Sequence, residues 1–271
     1  MESIEIIIAI FYFIFGIIIG SFLNVVSLRY NTGRSIKGRS MCFLCGSKLK
    51  WFDLIPIFSF LIFSGRCRLC KSKISWQYIF VELSTGLVFL GIFLKFSFIL
   101  NHSLSYMIIS SVYFMIIFSL LIIIFIYDLK HKIIPNNFVY AFILFSFFTL
   151  FFNLNTFQLT TPTISHLAAG PLFFLFFFFL WLISDGRWIG LGDGKLVVGI
   201  GWILGLSAGV SAIILSFWIG ALFGVGLALI SSLYLQRKQF TMKSEIPFGP
   251  FLIIGFMTAF FFNMNIFNFI L

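Results

Sequence analysis

The stretch "GLGDGKL", Gly190 to Leu196, sets an acid between two glycines at the edge of a strongly apolar run. The 271-residue chain has only eight acidic residues, so one placed against a hydrophobic segment needs a reason. An apolar run at about 164–184 precedes it, and runs at about 196–209 and 210–235 follow. Further out, runs lie at about 4–27, 79–99, 106–127, 137–155 and 249–269. Most approach the ~20 residues needed to cross a bilayer. Hydrophobic residues make up 61% of the chain and charged residues 10%, where a soluble domain has about a quarter charged. These features predict an all-α integral membrane protein with about eight transmembrane helices. The first run is too long for a signal-peptide core and no small-residue cleavage site follows it, so it reads as a retained helix. The division between the sixth and seventh runs, near Gly199, Gly201 and Gly205, is the least marked.

Charge supplies an orientation, because Lys and Arg gather in cytoplasmic loops. The loop from Arg29 to Gln77 carries ten Lys/Arg and one acid, Asp53. Eight spans put three more loops on its side, holding Lys130, Lys132, Arg187, Lys195, Arg237, Lys238 and Lys243. Only Lys95, of 18 basic residues, then falls on the other face. The expectation is a multi-pass protein of the bacterial cytoplasmic (inner) membrane with both termini outside. The net charge of +10 is then topological, with attraction to anionic membrane lipid, and no nucleic-acid partner is needed to explain it. The organisation expected is a first transmembrane helix (1–28), a cytosolic four-cysteine loop (29–77) and a transmembrane core (78–271).

All four cysteines lie in that loop, as "CFLC" at Cys42 and Cys45 and "CRLC" at Cys67 and Cys70. Two residues between cysteines let both thiolates reach one ion from a tight turn, and two such knuckles complete a tetrahedral shell. A cytosolic location disfavours disulfides, so a structural zinc ion is expected, with no open position for chemistry. It would fold a loop too polar to fold alone.

Among the acids near membrane boundaries are Asp128, in "IFIYDLKHKIIPN", and Asp193. Topology puts both at the cytoplasmic face, and ionisable groups at such depth are functional candidates. Two neighbouring carboxylates cannot both ionise easily and share a proton. One then acts as base toward water and the other as acid toward a carbonyl oxygen or leaving amine. That is the chemistry of an aspartic peptidase. Asp185 shares the face and is an alternative partner without flanking glycines. Asp128 would sit at a helix C-terminus and Asp193 near an N-terminus, which makes Asp128 the expected holder of the shared proton. Gly190, Gly192 and Gly194 leave room for unusual backbone angles and for close approach of a substrate backbone.

With these motifs assembled, the chain resembles the type IV prepilin peptidases, a family of GxGD aspartic membrane proteases. "GSFLNV" (20–25), the segment from "RSMCFLC" through "DLIP" and "GRCRLC" to "ISWQYIFVEL", "DLKHKIIPN", "GLGDGKL" and "IPFGPFL" (246–252) follow the family's motifs in order. Phe43 replaces a usual Pro, and GLG replaces a longer glycine run. The resemblance implies cleavage of the basic leader from prepilin or pseudopilin precursors at the cytoplasmic face, a step in type IV pilus assembly and protein secretion. It also implies N-methylation of the new amino terminus with S-adenosylmethionine, for which no fingerprint is visible in the residues.

Other residues have readings of their own. Gly16, Gly20 and Asn24 form one small, polar face suited to helix packing. Glu82, in the first turns of the second span, is expected to pair with a loop cation, and its motif implies support of the site. Lys195 either holds a carboxylate charge or marks the boundary, and the boundary is preferred. His102, His131 and His166 are isolated and make no metal site. Pro135 and Pro247 mark helix starts. Two other functions fit membrane acids: a proton- or cation-coupled transporter, with its site on broken helices near the midplane, and a non-catalytic scaffold whose zinc loop binds a partner.

Overall fold

The computed structural model describes residues 2–33, 35, 38–42, 44–101, 103–153, 158–234 and 246–265. Phe43, His102, Arg237, Lys238, Lys243 and the tail of the last expected span lie outside the described residues. The described helices are α1 (Glu2–Arg29), α2 (Phe58–Ile62), α3 (Gln77–Phe96), α4 (Leu104–His131), α5 (Asn136–Phe148), α6 (Ile164–Ile183), α7 (Leu191–Tyr234) and α8 (Gly249–Phe262). Five stretches are long and apolar enough to span a bilayer: Ile4–Arg29, Gln77–Ile99, Leu104–His131, Ile164–Ile183 and Leu191–Leu229. Helices α5 and α8 are apolar but only 13 and 14 residues long. The span expected at 137–155 stops at Phe148, and a two-residue antiparallel pair, Phe152–Asn153 with Gln158–Leu159, follows it.

The chain divides into two compact units, Met1–Ile123 and Ile124–Leu271. In the first, α1 lies tightly on α3. A Cβ on Gly16 would come within 2.8 Å of Gly86 Cα, and one on Gly20 within 2.9 Å of Glu82 Cα. Small residues thus let two backbones approach, as membrane helices do when no hydrophobic force separates helix from lipid. One turn on, the buried Asn24 amide donates to the Tyr78 carbonyl at 3.2 Å.

In the second unit α7 is the hub. It packs on α5 where Gly199 meets Phe142 and Ser146, on α6 where Gly201 meets Gly170 and Phe173, and on α8 where Gly220 meets Phe251. Helix α6 contains Pro171, which cannot donate to the carbonyl of Leu167 one turn earlier. The Trp202 indole N–H of α7 donates to that carbonyl instead, at 3.3 Å. In an apolar membrane interior, where an unsatisfied backbone group costs several kcal/mol, this contact explains how the proline is tolerated.

Helix α7 runs 44 residues but is broken at Gly205, with φ 75° and ψ −174°. The sixth and seventh expected spans therefore meet at Gly205 rather than at 209–210. Those angles are open essentially to glycine alone, and a Cβ there would also lie 2.7 Å from the His166 ring nitrogen Nε2. Gly205→Ala should destabilise the protein by about 1–3 kcal/mol through strain alone, read as a lower thermal midpoint in detergent. Adding His166→Ala should restore only part of the loss, because it removes the clash and not the strain.

Candidate active site and metal centre

The α7 start is built around Asp193. The Gly190 N–H, just before the helix, donates to Asp193 Oδ2 at 3.1 Å, and the Asp193 N–H donates back to the Gly190 carbonyl at 3.1 Å. A third-position acid that binds the capping residue's N–H is one half of a capping box. It fixes the carboxylate where the helix dipole favours negative charge. Asp193 is 7% exposed and Asp128 is 4% exposed.

Asp128 lies one turn before the end of α4. Its carboxylate accepts the N–H of Gly249, the first residue of α8. A Cβ on Gly249 would sit 2.5 Å from Asp128 Oδ2, so a side chain there would push the carboxylate out of its place. Ile134 joins the three elements: it would lie 2.9 Å from a Cβ on Gly192 and 3.2 Å from one on Gly249. The Asp128 carboxylate is close enough for Asp193 to feel its charge. Among the described residues neither forms an ion pair.

Several expectations change at this site. Asp128 does end its own helix, but its carboxylate also faces the N-terminus of α8. Both acids therefore meet a helix N-terminus, and the expected dipole asymmetry is offset. Gly190, Gly192 and Gly194 all have ordinary negative φ, so unusual angles are not their use. Gly192 is needed for its contact with Ile134. Cβ atoms at Gly190 and Gly194 would find nothing closer than 3.5 Å. Lys195 reaches away to α5, donating to Asn136 Oδ1 at 2.8 Å and lying 5.0 Å from the Tyr140 ring centre. Asp185 sits in the turn that ends α6, with φ 49° and its side chain 83% exposed, 3.9 Å from Arg187. His131 stacks on Tyr127. The residue that sequence reading left without a role is Gly249. Its signal was "FGP", a glycine before a proline in the first helical turn, where Pro is favoured.

The four cysteines converge: their sulfurs all lie within 4.8 Å of one another, with Cys42 and Cys70 3.7 Å apart. Metal–thiolate bonds of about 2.3 Å in a tetrahedron give sulfur–sulfur edges of about 3.8 Å, so these thiols can hold a metal ion. The two knuckles repeat one pattern, C-x-L-C-x-S-K, at 42–48 and 67–73. In each, the residue after the second Cys has positive φ, Gly46 at 67° and Lys71 at 56°. In each, the first Cys N–H donates to the Ser carbonyl, Cys42 to Ser47 and Cys67 to Ser72. The N–H groups of Cys45 and Leu44 hold the Cys42 thiol down at about 6. The Ser72 hydroxyl and N–H lower Cys70 too. Both favour the thiolate that a metal requires.

Glu82 is buried in the first unit and, among the described residues, has no ion-pair partner. The expected loop cation is replaced by neutral donors. The Ile57 N–H of the loop donates to its Oε2 at 2.8 Å, and Ser21 of α1 hydrogen-bonds it as well. Glu82 therefore ties the metal loop to both helices.

Two family models match the chain: the bacterial peptidase A24 N-terminal domain over residues 14–96, and the type IV leader peptidase family over residues 115–225. A prepilin leader peptidase/N-methyltransferase from Bacillus subtilis is 32% identical over 261 residues, covering 95% of each chain. The chain belongs to the type IV leader peptidase family. Proteins of the same description from Vibrio cholerae (29% identity; 93% of this chain, 96% of the relative) and Myxococcus xanthus (30%; 89% and 70%) are also similar to it. No solved structure matches the chain significantly. The first family model spans α1, the metal loop and α3 together, and the second covers both aspartates.

The purified chain should carry about one metal ion, and replacing any of Cys42, Cys45, Cys67 or Cys70 with Ser should remove it, measured by elemental analysis. Limited proteolysis should then cut between residues 42 and 73 several times faster, since metal binding supplies the folding free energy of such a loop.

Proposed function

We propose that this protein is a membrane aspartic endopeptidase that removes the basic leader from type IV prepilin-like precursors, with Asp128 and Asp193 as its catalytic pair. The observation that carries the reading is the pair itself: two buried carboxylates, one within reach of the other's charge, each accepting a backbone N–H at the start of a helix, with no cation in an ion pair with them among the described residues. A cation would fix both as carboxylates. Without one, a single shared proton makes one group an acid and leaves the other a base.

The base carboxylate takes a proton from water as the water oxygen bonds to the scissile carbonyl carbon. The acid protonates the carbonyl oxygen. When the carbon–nitrogen bond breaks, the proton taken from water passes to the leaving amine. Holding the acids on helix starts keeps both fixed while charge develops, which is the larger part of such catalysis.

The remaining elements follow the same reading. The relatives' names give prepilins as substrates, and cleavage at the cytoplasmic face would act on a basic leader on the side where Lys and Arg are retained. Zinc is the ion that four thiolates in this arrangement suit, as a closed structural site. N-methylation of the new amino terminus comes with the relatives' names, and S-adenosylmethionine would supply the methyl group when bound. The described residues contain no glycine-rich strand-to-helix loop of the kind that cradles a nucleoside. A transporter site would sit at the helix break. Gly205 lies about 18 Å along α7 from Asp193, and the cavity there, about 400 Å³, is lined by Ser165, His166 and Ser207 without a carboxylate.

Co-expression with a prepilin substrate tests the reading. Asp128→Asn and Asp193→Asn should each lower leader removal by about 10²–10⁴-fold or more, with the protein still in the membrane. Normal cleavage by either variant would reject the pair. Gly192→Ala and Gly249→Ala should each cost about 10²-fold, the scale of a 1 Å misplacement of a catalytic group. Gly190→Ala and Gly194→Ala should cleave nearly as well as the parent chain.

A further inference from the structure

Between the two cysteine knuckles runs "WFDLIPIFSFLIF", Trp51 to Phe63, an apolar segment inside the most basic loop of the chain. Its centre folds as the one-turn helix α2. Phe58, Leu61 and Ile62 stand on one face of it, at spacings of three and four, and are 66%, 63% and 72% exposed. The other face is anchored. Phe60 is buried, its ring fills the space a Cβ on Gly65 would need, and Trp76 lies 5.1 Å from it. Gly65 donates to the Phe60 carbonyl at 2.8 Å and accepts from the Ile74 N–H at 2.7 Å. The apolar face is thus fixed to the second knuckle, two residues before Cys67.

Two observations state what covers that face. The first is depth. The residue that opens α2, Ile57, donates to Glu82 Oε2 at 2.8 Å. Glu82 lies five residues inside the spanning stretch that starts at Gln77, about 8 Å along the helix axis. So α2 begins against the first turns of the apolar stretch of α3. Interfacial helices bury their apolar faces about 5–10 Å into the boundary between headgroups and acyl chains. The second is charge. Lys48, Lys50, Arg66, Lys71 and Lys73 are exposed around the segment, and its one acid, Asp53, is taken up by Arg68 at 3.4 Å. Basic residues flanking an apolar face match an anionic lipid surface, and exposed Trp76, 65% accessible, is of the residue type enriched at that boundary.

We propose that α2 and Trp76 form an interfacial wedge that seats the metal loop in the bilayer carrying the chain, with the surrounding cations on anionic headgroups. The wedge is rigid because the knuckle behind it is. The four cysteines, holding a metal, would then do more than fold the loop: the knuckle they form would hold an apolar face beside α1 and α3. The proposal depends on the membrane embedding of α3 and not on the peptidase reading.

The test uses the full chain in lipid nanodiscs of phosphatidylcholine with a fraction of phosphatidylglycerol. A photocrosslinking benzoylphenylalanine replaces Phe58 or Ile62, one at a time. Leu87, exposed on α3, serves as the lipid-facing control and Thr32, in the exposed turn after α1, as the solvent-facing one. Metal content confirms that each variant keeps its knuckles. Phospholipid adducts at 58 and 62 should approach the yield at 87 and exceed that at 32 several-fold, and phosphatidylglycerol should be over-represented among them relative to adducts at 87. Lipid yields no higher than at 32 would overturn the wedge. So would adducts to a second copy, to another protein or to a different part of the same chain. Adducts that mirror the bulk lipid ratio would overturn the anionic headgroup contact.

Discussion

The site depends on one contact: the first N–H of α8 donates to the Asp128 carboxylate, at a residue whose Cβ would press on that carboxylate. That contact brings α8 to the end of α4. Ile134 then carries the approach to Gly192 and the start of α7, whose third residue is Asp193. Three helix ends converge because small residues remove what would keep them apart. The carboxylates lie in a buried, membrane-depth environment where charge is costly, and the site meets this cost with oriented backbone N–H groups. A helix N-terminus contributes roughly 0.3–2 kcal/mol toward a neighbouring anion, against a burial penalty of several kcal/mol per ion. Two full charges would be costly in such a place, and one shared proton is the arrangement that the proposed hydrolysis would use.

The same device, backbone brought close by missing side chains, builds the rest of the second unit. Helix α7 touches α5, α6 and α8 through Gly199, Gly201 and Gly220. Its break at Gly205 is a separate matter, since there the backbone angles themselves require glycine. The Trp202 indole stands in for the hydrogen bond that Pro171 cannot make. Polar satisfaction inside an apolar chain thus comes from individual side chains at known positions.

Much of this was legible in the sequence. Long apolar runs name a helical membrane protein because bilayer thickness acts on composition directly. The four cysteines announced a metal centre because ligand spacing is local. The two aspartates stood out because acids are rare in this chain. What the sequence hid depends on three-dimensional approach. Nothing local says that Gly249 would face Asp128, that Lys195 would turn to Asn136, or that Glu82 would bind the Ile57 N–H in place of a cation. The seven-residue repeat across the knuckles was visible, and it became meaningful once Gly46 and Lys71 proved to share one left-handed conformation. The break in α7 lies a few residues from the expected division because several glycines stand there and nothing local says which of them takes the non-helical angles.

The central claim is that one peptide bond is held between Asp128 and Asp193. The most direct measurement is an experimental structure of the Asp193→Asn chain in a membrane mimetic with an uncleaved precursor bound. The account predicts the scissile carbonyl within hydrogen-bond reach of residues 128 and 193, beside the Gly192 and Gly249 helix starts. A precursor whose cleavage site lies elsewhere, as in the cavity at Gly205, or carboxylates that remain apart with substrate bound, would contradict it.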